Sequence, residues 1–212
     1  MFTEDEAANV ISDVTAALCH LHSKGIAHRD LKPENVLCVY RNDTSSVKLC
    51  DFDLGSGIRF NTGEGSVTTP VLFTPVGSAE FMAPEIVEAI TEDNEEDLMY
   101  DKRCDLWSLG IMMYILLCGY PPFTGSCGLS CEWSRGGSCD RCQENLFHNI
   151  KNGVYEFNPD DWSNISEEAK DLIRKLLVKD AKKRISAKDV LSHPWFKKSY
   201  PTVLATPSKL RK

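Results

Sequence analysis

Long apolar runs, an excess of basic residues and a secretory leader are all missing from this sequence. The longest apolar run covers residues 109–119, well short of the ~20 residues that a membrane-spanning helix needs. Residues 2–6 are acidic where a secretory signal peptide is basic. Lysine and arginine number 24 against 31 acidic residues, a net charge of −7, which argues against nucleic acid as the main ligand. We therefore expect no membrane span, no direct nucleic-acid partner and a cytoplasmic location, with the nucleus as a second candidate location.

The length and charge distribution indicate one domain. The 212 residues are enough for a single domain with a sizeable core, and no internal repeat is visible. Residues 92–97 are strongly acidic and residues 197–212 are basic, which is typical of a solvated loop and a solvated tail. We expect one domain over residues 1–196 and a disordered basic tail over residues 197–212.

Hydrophobic periodicity predicts several helices. Thr3 and Glu6 fit a capping box for the first helix, and Gly25 suits its C-terminal end. Residues 104–118 are apolar on nearly every side, which is typical of a buried helix. Start signals and periodicity predict further helices at about residues 143–151, 166–178 and 186–193.

Two β-rich runs predict one hairpin. Residues 35–40 and 47–52 suit strands, and the polar residues 41–46 between them suit a turn. Residues 53–77 are rich in Gly, Ser and Thr and predict a long surface segment without regular structure. The predicted fold class is mainly α with a short β-hairpin.

The segment 28–35 reads His-Arg-Asp-Leu-Lys-Pro-Glu-Asn and resembles the catalytic loop of protein kinases. Phosphoryl transfer depends on positioning and charge neutralisation, so its groups must converge. By this resemblance Asp30 accepts or orients the substrate hydroxyl proton, Lys32 lies beside the moving phosphoryl group, and Asn35 holds Mg²⁺. A lysine at the position of Lys32 resembles serine/threonine kinases rather than tyrosine kinases. The hairpin would then carry the catalytic and metal-binding loops of a kinase C-terminal lobe.

The tripeptide Asp51-Phe52-Asp53 resembles the Asp-Phe-Gly motif of kinases. Asp51 corresponds to the aspartate that ligates Mg²⁺ at the nucleotide phosphates. Asp53 stands where glycine is usual, and aspartate adopts the glycine backbone angles with more strain. Our hypothesis is that Asp53 biases this loop towards an inactive arrangement.

An activation segment is expected over residues 51–85, because it ends on the Ala-Pro-Glu motif of kinases. Thr69 and Thr74 each precede proline inside this segment. A phosphate on either threonine adds roughly −1.5 to −2 charge and can pair with arginine, and Arg29 is the natural partner.

Four more positions resemble the residues that anchor the activation segment in kinases. Ser78 matches the residue whose hydroxyl contacts the catalytic-loop side chains. Asp105 matches the aspartate that bonds the catalytic-loop backbone, and a buried charge needs such partners. Arg184 resembles the arginine that pairs with the Glu85 carboxylate.

Four cysteines lie close together, two pairs separated by a Gly- and Ser-rich stretch. Such spacing suits a tetrahedral four-thiolate zinc site, which leaves no open position and is therefore structural. Disulfides and a redox Cys-x-x-Cys pair are the competing interpretations. The insert covers residues 126–142, and the candidate ligands are Cys127, Cys131, Cys139 and Cys142.

The Asp-Phe-Asp motif, the two Thr-Pro sites and the cysteine-rich insert together resemble the MAP-kinase-interacting kinases. The resemblance covers about residues 2–196. It implies ATP and Mg²⁺ as cofactors, activation by upstream MAP kinases at Thr69 and Thr74, and phosphorylation of the cap-binding translation initiation factor on serine.

A kinase domain holds ATP between two lobes, and residues 1–27 predict only one helix. The glycine-rich phosphate loop, the ATP-binding lysine and its glutamate partner have no counterpart here. The chain supplies the floor of the nucleotide site, including Glu34 and Leu37, so we expect an incomplete and by itself inactive kinase domain. The alternatives are a non-catalytic scaffold that binds MAP kinases or substrate, and a zinc-dependent interaction module.

Overall fold

A computed structural model of the protein describes residues 3–41, 43–51, 56–57, 79–91 and 102–197. Four predicted site residues lie outside these ranges: Asp53, Thr69, Thr74 and Ser78. The acidic segment 92–97 and the tail beyond residue 197 lie outside them too. What the sequence predicts for these positions stays a prediction.

The described part of the chain is mainly helical. Its helices are α1 Glu4–Ser23, α2 Pro84–Thr91, α3 Cys104–Cys118, α4 Asp140–Asn152, α5 Pro159–Trp162, α6 Glu167–Leu176 and α7 Ala187–Leu191. Its strands are β1 Ile26–Ala27, β2 Val36–Tyr40, β3 Asp43–Leu49 and β4 Ser56–Gly57. Short 3₁₀ turns lie at Pro33–Asn35, Ala79–Phe81, Glu132–Arg135 and Pro194–Lys197. None of the helices within the described ranges is long and apolar enough to cross a membrane.

Helix α1 begins and ends where the sequence predicts. The Thr3 hydroxyl accepts a hydrogen bond from the Glu6 amide at 3.1 Å, and the Glu6 carboxylate accepts one from the Thr3 amide. This capping box satisfies two amides that have no partner within the helix. The helix ends before Gly25, whose φ of 71° is costly for residues with a Cβ. Between these ends the apolar stripe of Ile11, Val14 and Leu18 is buried.

Strands β2 and β3 form the predicted antiparallel hairpin, with a shorter turn. Tyr40 lies opposite Asp43, so the prediction of a turn over residues 41–46 is wrong. The Asp43 carboxylate accepts a hydrogen bond from the Ser45 amide at 2.8 Å, which stabilises the start of β3. The second strand ends at Leu49 rather than residue 52. The Asp13 side chain on α1 accepts from the Val47 amide at 2.9 Å and anchors the hairpin to the helical body.

A second, smaller strand pair joins β1 to β4. Ile26 lies opposite Gly57 and Ala27 opposite Ser56. The sequence placed residues 56–57 in a segment without regular structure, so that prediction is wrong at these two positions. The pair is only two residues long, too short for a period-2 pattern to be recognised.

Helix α3 forms the centre of the core, as its apolar sequence predicts. Leu106, Trp107 and Leu109 have no exposed surface. Trp107 stacks on Phe123 with the ring centroids 5.5 Å apart. Helices α1 and α6 pack against α3. The N-terminal end of α3 lies at the catalytic-loop segment, and its C-terminal end leads to the cysteine-rich insert.

Candidate active site and metal site

The structure brings together the three predicted catalytic side chains. The Lys32 ammonium lies 2.7 Å from the Asp30 carboxylate. The Asn35 amide donates to the Asp30 carbonyl at 2.7 Å and to the same carboxylate at 3.1 Å. Asn35 can return to Asp30 because the 3₁₀ turn Pro33–Asn35 shortens the segment between them. Two donors thus hold one carboxylate oxygen in a fixed direction.

Asp105, in the first turn of α3, anchors this loop through hydrogen bonds to its backbone. Its carboxylate accepts hydrogen bonds from the backbone amides of His28 at 2.9 Å and Arg29 at 2.8 Å. The predicted contact between Asp105 and the loop backbone is therefore present. The His22 imidazole adds a third contact at 2.8 Å. Arg29 has a φ of 70°, and these bonds offset the strain of that backbone conformation.

The loop is also tied to the strand that leads to Asp51. The Cys50 amide donates to the Asn35 carbonyl at 3.0 Å, and the His28 ring lies 3.1 Å from the Cys50 carbonyl. Asp51 follows directly, with a φ of 63° and an exposed side chain. The backbones carrying Asn35 and Asp51, the two predicted magnesium ligands, are therefore neighbours, and their amide and carboxylate oxygens are the ligand atoms that Mg²⁺ prefers.

The two predicted nucleotide contacts both lie at the protein surface. Glu34 is exposed on the turn before β2, and Leu37 on β2 is 54% exposed. The sequence did not single out Glu80, which lies close enough for the Glu34 charge to act on it. Burial, followed by this charge, raises the pKa of the Glu80 carboxyl. Glu80 lies 46 residues after Glu34, so only the fold makes them neighbours.

Glu85 and Arg184 form the predicted ion pair. Two parallel contacts of 2.8 and 2.9 Å join the guanidinium to the carboxylate. Arg184 also donates to the carbonyl oxygens of Arg103, Val178 and Lys179. Its side chain is fully buried, so this charge has the partners that burial requires. The pair fastens the start of α2 to the segment before α7.

The four predicted zinc ligands converge on one point. Their sulfur atoms all lie within 4.8 Å of one another. The Cys131 sulfur lies 3.6 Å from those of both Cys127 and Cys142. A tetrahedral zinc site with Zn–S bonds of about 2.3 Å places its sulfurs about 3.8 Å apart. The thiols of this structure therefore fit Zn²⁺.

The cysteine site joins a loop to the start of α4. Cys127 and Cys131 lie on the loop, Cys139 immediately precedes α4, and Cys142 lies buried in its first turn. A backbone hydrogen bond at Leu129 lowers the pKa of the Cys127 thiol to about 7. Burial raises the pKa of the Cys142 thiol to about 12. A cation would overcome this burial effect, because metal binding deprotonates the thiols.

Comparison with known proteins agrees with the site geometry. Residues 1–196 match the family model described as "Protein kinase domain". The chain is 58% identical over 200 residues to MAP kinase-interacting serine/threonine-protein kinase 1 of Xenopus tropicalis, covering 94% of this chain and 47% of that relative. It is 57% identical over 212 residues to the corresponding kinase 2 of Xenopus laevis, covering 100% and 45%. The Caenorhabditis elegans kinase mnk-1 is 50% identical over 215 residues, with coverage of 99% and 30%.

The chain thus spans about half the length, or less, of the curated relatives it matches. The kinase model nevertheless covers most of the chain, including the catalytic-loop segment and the Glu85–Arg184 pair. The chain belongs to the protein kinase family and, within it, to the MAP kinase-interacting serine/threonine-protein kinases.

Proposed function

We propose that this chain is the C-terminal lobe of a kinase domain, and that the complete protein phosphorylates serine or threonine in protein substrates. The observation that carries the proposal is the Asp30 carboxylate, which Lys32 and Asn35 hold on a loop anchored by Asp105. Phosphoryl transfer is catalysed mainly by such positioning together with electrostatic stabilisation.

Each residue of this site has a defined role in the proposed reaction. Membership of the kinase family implies ATP and Mg²⁺, which supply the phosphoryl group and neutralise its charge. Asn35 and Asp51 would hold the cation. Asp30 orients the substrate hydroxyl and accepts its proton, while Lys32 keeps that carboxylate in place and faces the transferred group. Leu37 would lie beneath the nucleotide base in the assembled two-lobe domain.

Replacement of Asp30 in the full-length protein tests this proposal. Asp30→Asn keeps the size of the side chain and removes the proton acceptor, so we expect kcat to fall by at least roughly 100-fold. Nucleotide affinity, measured by fluorescence titration, should change less than about twofold. The control is Asp160→Asn, an exposed aspartate on α5 that should leave both quantities unchanged. If Asp30→Asn retained kcat within about tenfold of wild type, Asp30 would not be the proton acceptor.

We propose regulation and substrate from the family resemblance. Upstream MAP kinases would phosphorylate Thr69 and Thr74, with Arg29 receiving the phosphate, and the substrate would be the cap-binding translation initiation factor in the cytoplasm. The names of the relatives, which call them MAP kinase-interacting, support the first part. Asp53 would hold the unphosphorylated enzyme inactive. Treatment with an active MAP kinase should raise the activity of the full-length protein, and Thr74→Ala should remove most of that rise.

We propose in addition that Cys127, Cys131, Cys139 and Cys142 bind one structural Zn²⁺. The support is the convergence of four sulfurs at distances that suit a tetrahedral site. Two separate disulfides would not require all four to meet. Metal analysis of the full-length protein should find one zinc ion per chain, and Cys139→Ser/Cys142→Ser should lose it. Cys38→Ser, at an exposed cysteine far from the cluster in sequence, is the control. Zinc retained by the double variant would refute the site.

A further inference from the structure

Two asparagines on α4 bind the segment 124–126, which leads into the cysteine-rich insert, to the side of the helix. The Asn145 side-chain amide donates to the Ser126 carbonyl at 2.6 Å, and the Asn149 amide donates to the Thr124 carbonyl at 2.8 Å. Four residues of α-helix rise about 6 Å, and two residues of extended chain advance about 6.6 Å. The two donors on α4 therefore match two successive same-side carbonyls of residues 124–126. We call these two hydrogen bonds the asparagine clasp.

Gly125, between the two clasped carbonyls, lets the segment lie directly against α4. A Cβ built at Gly125 would stand 1.9 Å from the Cys142 carbonyl oxygen, closer than any real contact. Glycine is therefore the residue that this approach allows. The segment meets α4 at the backbone of a candidate zinc ligand, and Cys127 follows one residue after the clasped Ser126. The attachment thus joins the chain segments that carry Cys127 and Cys142.

We propose that the asparagine clasp positions Cys127 against α4 before the metal binds, and so sets the zinc affinity of the four-cysteine site. The proposal rests on the zinc site proposed above. Cys142 is fixed by the helix, whereas Cys127 lies on a loop whose closure onto the metal costs conformational entropy. A segment already held by the clasp has less freedom to lose, which strengthens binding. Removing groups that orient metal ligands without touching the metal commonly changes metal affinity by about 10- to 100-fold.

The clasp also links the metal site to an open cavity. Asn149 and Thr124, the partners in its second hydrogen bond, line a cavity of about 430 Å³ together with Pro122, Phe123, Asn152 and Val154. One segment of chain therefore has Cys127 at one end and the cavity wall at the other. Loss of the metal in a protein without the clasp should release this whole segment. Faster amide hydrogen exchange over residues 123–127 would report that release.

The test measures zinc affinity of the full-length protein by competition with a chromophoric chelator. We expect Asn145→Ala to weaken zinc binding by roughly 3- to 10-fold, the equivalent of one hydrogen bond, and Asn145→Ala/Asn149→Ala by roughly 10- to 100-fold. The control is Asn152→Ala on the same helix, which lies outside the clasp and should keep wild-type affinity.

Two further readouts separate positioning from general stability. The thermal midpoint of the metal-free protein should be nearly the same for wild type and Asn145→Ala, because alanine favours the helix and offsets the lost exposed hydrogen bond. Bound Co²⁺ should keep a tetrahedral thiolate spectrum in each of the asparagine variants. Equal zinc affinity in wild type and the double variant would overturn the clasp alone, as would an equal loss in Asn152→Ala. A wild-type protein that binds no zinc would overturn the metal site and the clasp together.

Discussion

At the scale of single residues, Glu80 carries a charge that its described surroundings disfavour. Glu80 lies on the turn Ala79–Phe81, beside the charge of Glu34. Both effects on Glu80, burial and the neighbouring carboxylate, favour its protonated form. The ionised carboxylate therefore lowers the stability of the folded chain at neutral pH.

Glu80→Gln should stabilise the protein at pH 7. The folded-state pKa of Glu80 is raised, so the ionised form is penalised in the folded state above that pKa. Below the unfolded value of 4.5 the carboxyl is neutral in both states and the penalty is absent. The thermal midpoint should thus rise by up to about 2 °C at pH 7, and the gain should disappear as the pH falls towards 4.5. Glu88→Gln, at an exposed position on α2, should show no such pH dependence. A gain that persists at pH 4 would contradict this explanation.

At the scale of elements, the sequence predicts five of the seven described helices, including the five-residue α7, and misses α2 and α5. The capping box of α1 and the apolar composition of α3 are local signals, and both helices have the expected bounds. Helices α2 and α5 are eight and four residues long and each begins with proline. Proline is favoured in a first helical turn yet is a breaker elsewhere, so the sequence alone did not distinguish a helix start from a turn.

At the site, one local motif predicted its own contacts, whereas two long-range contacts gave no signal in the sequence. The spacing within residues 28–35 predicted that Asp30, Lys32 and Asn35 would meet, because the motif is local. The contact of His22 with Asp105 spans 83 residues, and that of Asn145 with Ser126 depends on how the insert lies on α4. Asparagine is mostly exposed in proteins and histidine has no strong preference for the interior, so neither contact had a signal before the fold was known.

Gly125, just before the insert, and Gly128, within it, should differ sharply in their tolerance of substitution. A Cβ at Gly125 would collide with the Cys142 carbonyl oxygen at 1.9 Å, whereas one at Gly128 meets no atom within 4 Å. Gly128→Ala strains only a φ of 71°, at a cost of about 1 kcal/mol. Gly125→Ala must move backbone and should cost about 2–4 kcal/mol. Urea unfolding measures both, and equal losses would mean that the segment does not lie against α4.

At the scale of the whole molecule, one buried carboxylate joins both ends of the described chain. Glu4, 1% exposed, accepts hydrogen bonds from the Ser166 amide at 3.1 Å and from the Trp195 indole at 2.7 Å. The Ser166 hydroxyl is a third donor. These contacts span 162 and 191 residues, and they connect α1, the start of α6 and the last described turn. In the sequence, Glu4 was only one of the acidic residues of segment 2–6.

Glu4→Gln should destabilise the whole folded domain. The amide has a single acceptor oxygen, so at least one buried donor loses its partner at a cost of roughly 1–3 kcal/mol. Denaturant unfolding followed by Trp fluorescence should show a lower midpoint with an unchanged slope. Asp5→Asn, one residue along the same helix and partly exposed, is the matched control. A loss no larger than that of the control would show that Glu4 does not join the two ends.

The position of Asp105 on α3 has a consequence for the kinetics of local opening. The amides of His28 and Arg29 belong to a loop, and loop amides usually exchange with solvent through small, frequent fluctuations. Their acceptor, however, is a carboxylate on the most buried helix of the core. These bonds cannot break without displacing either the loop or α3. The two amide protons should therefore exchange as slowly as those of the core. The loop of residues 28–35 then opens only together with the hydrophobic core on which it packs.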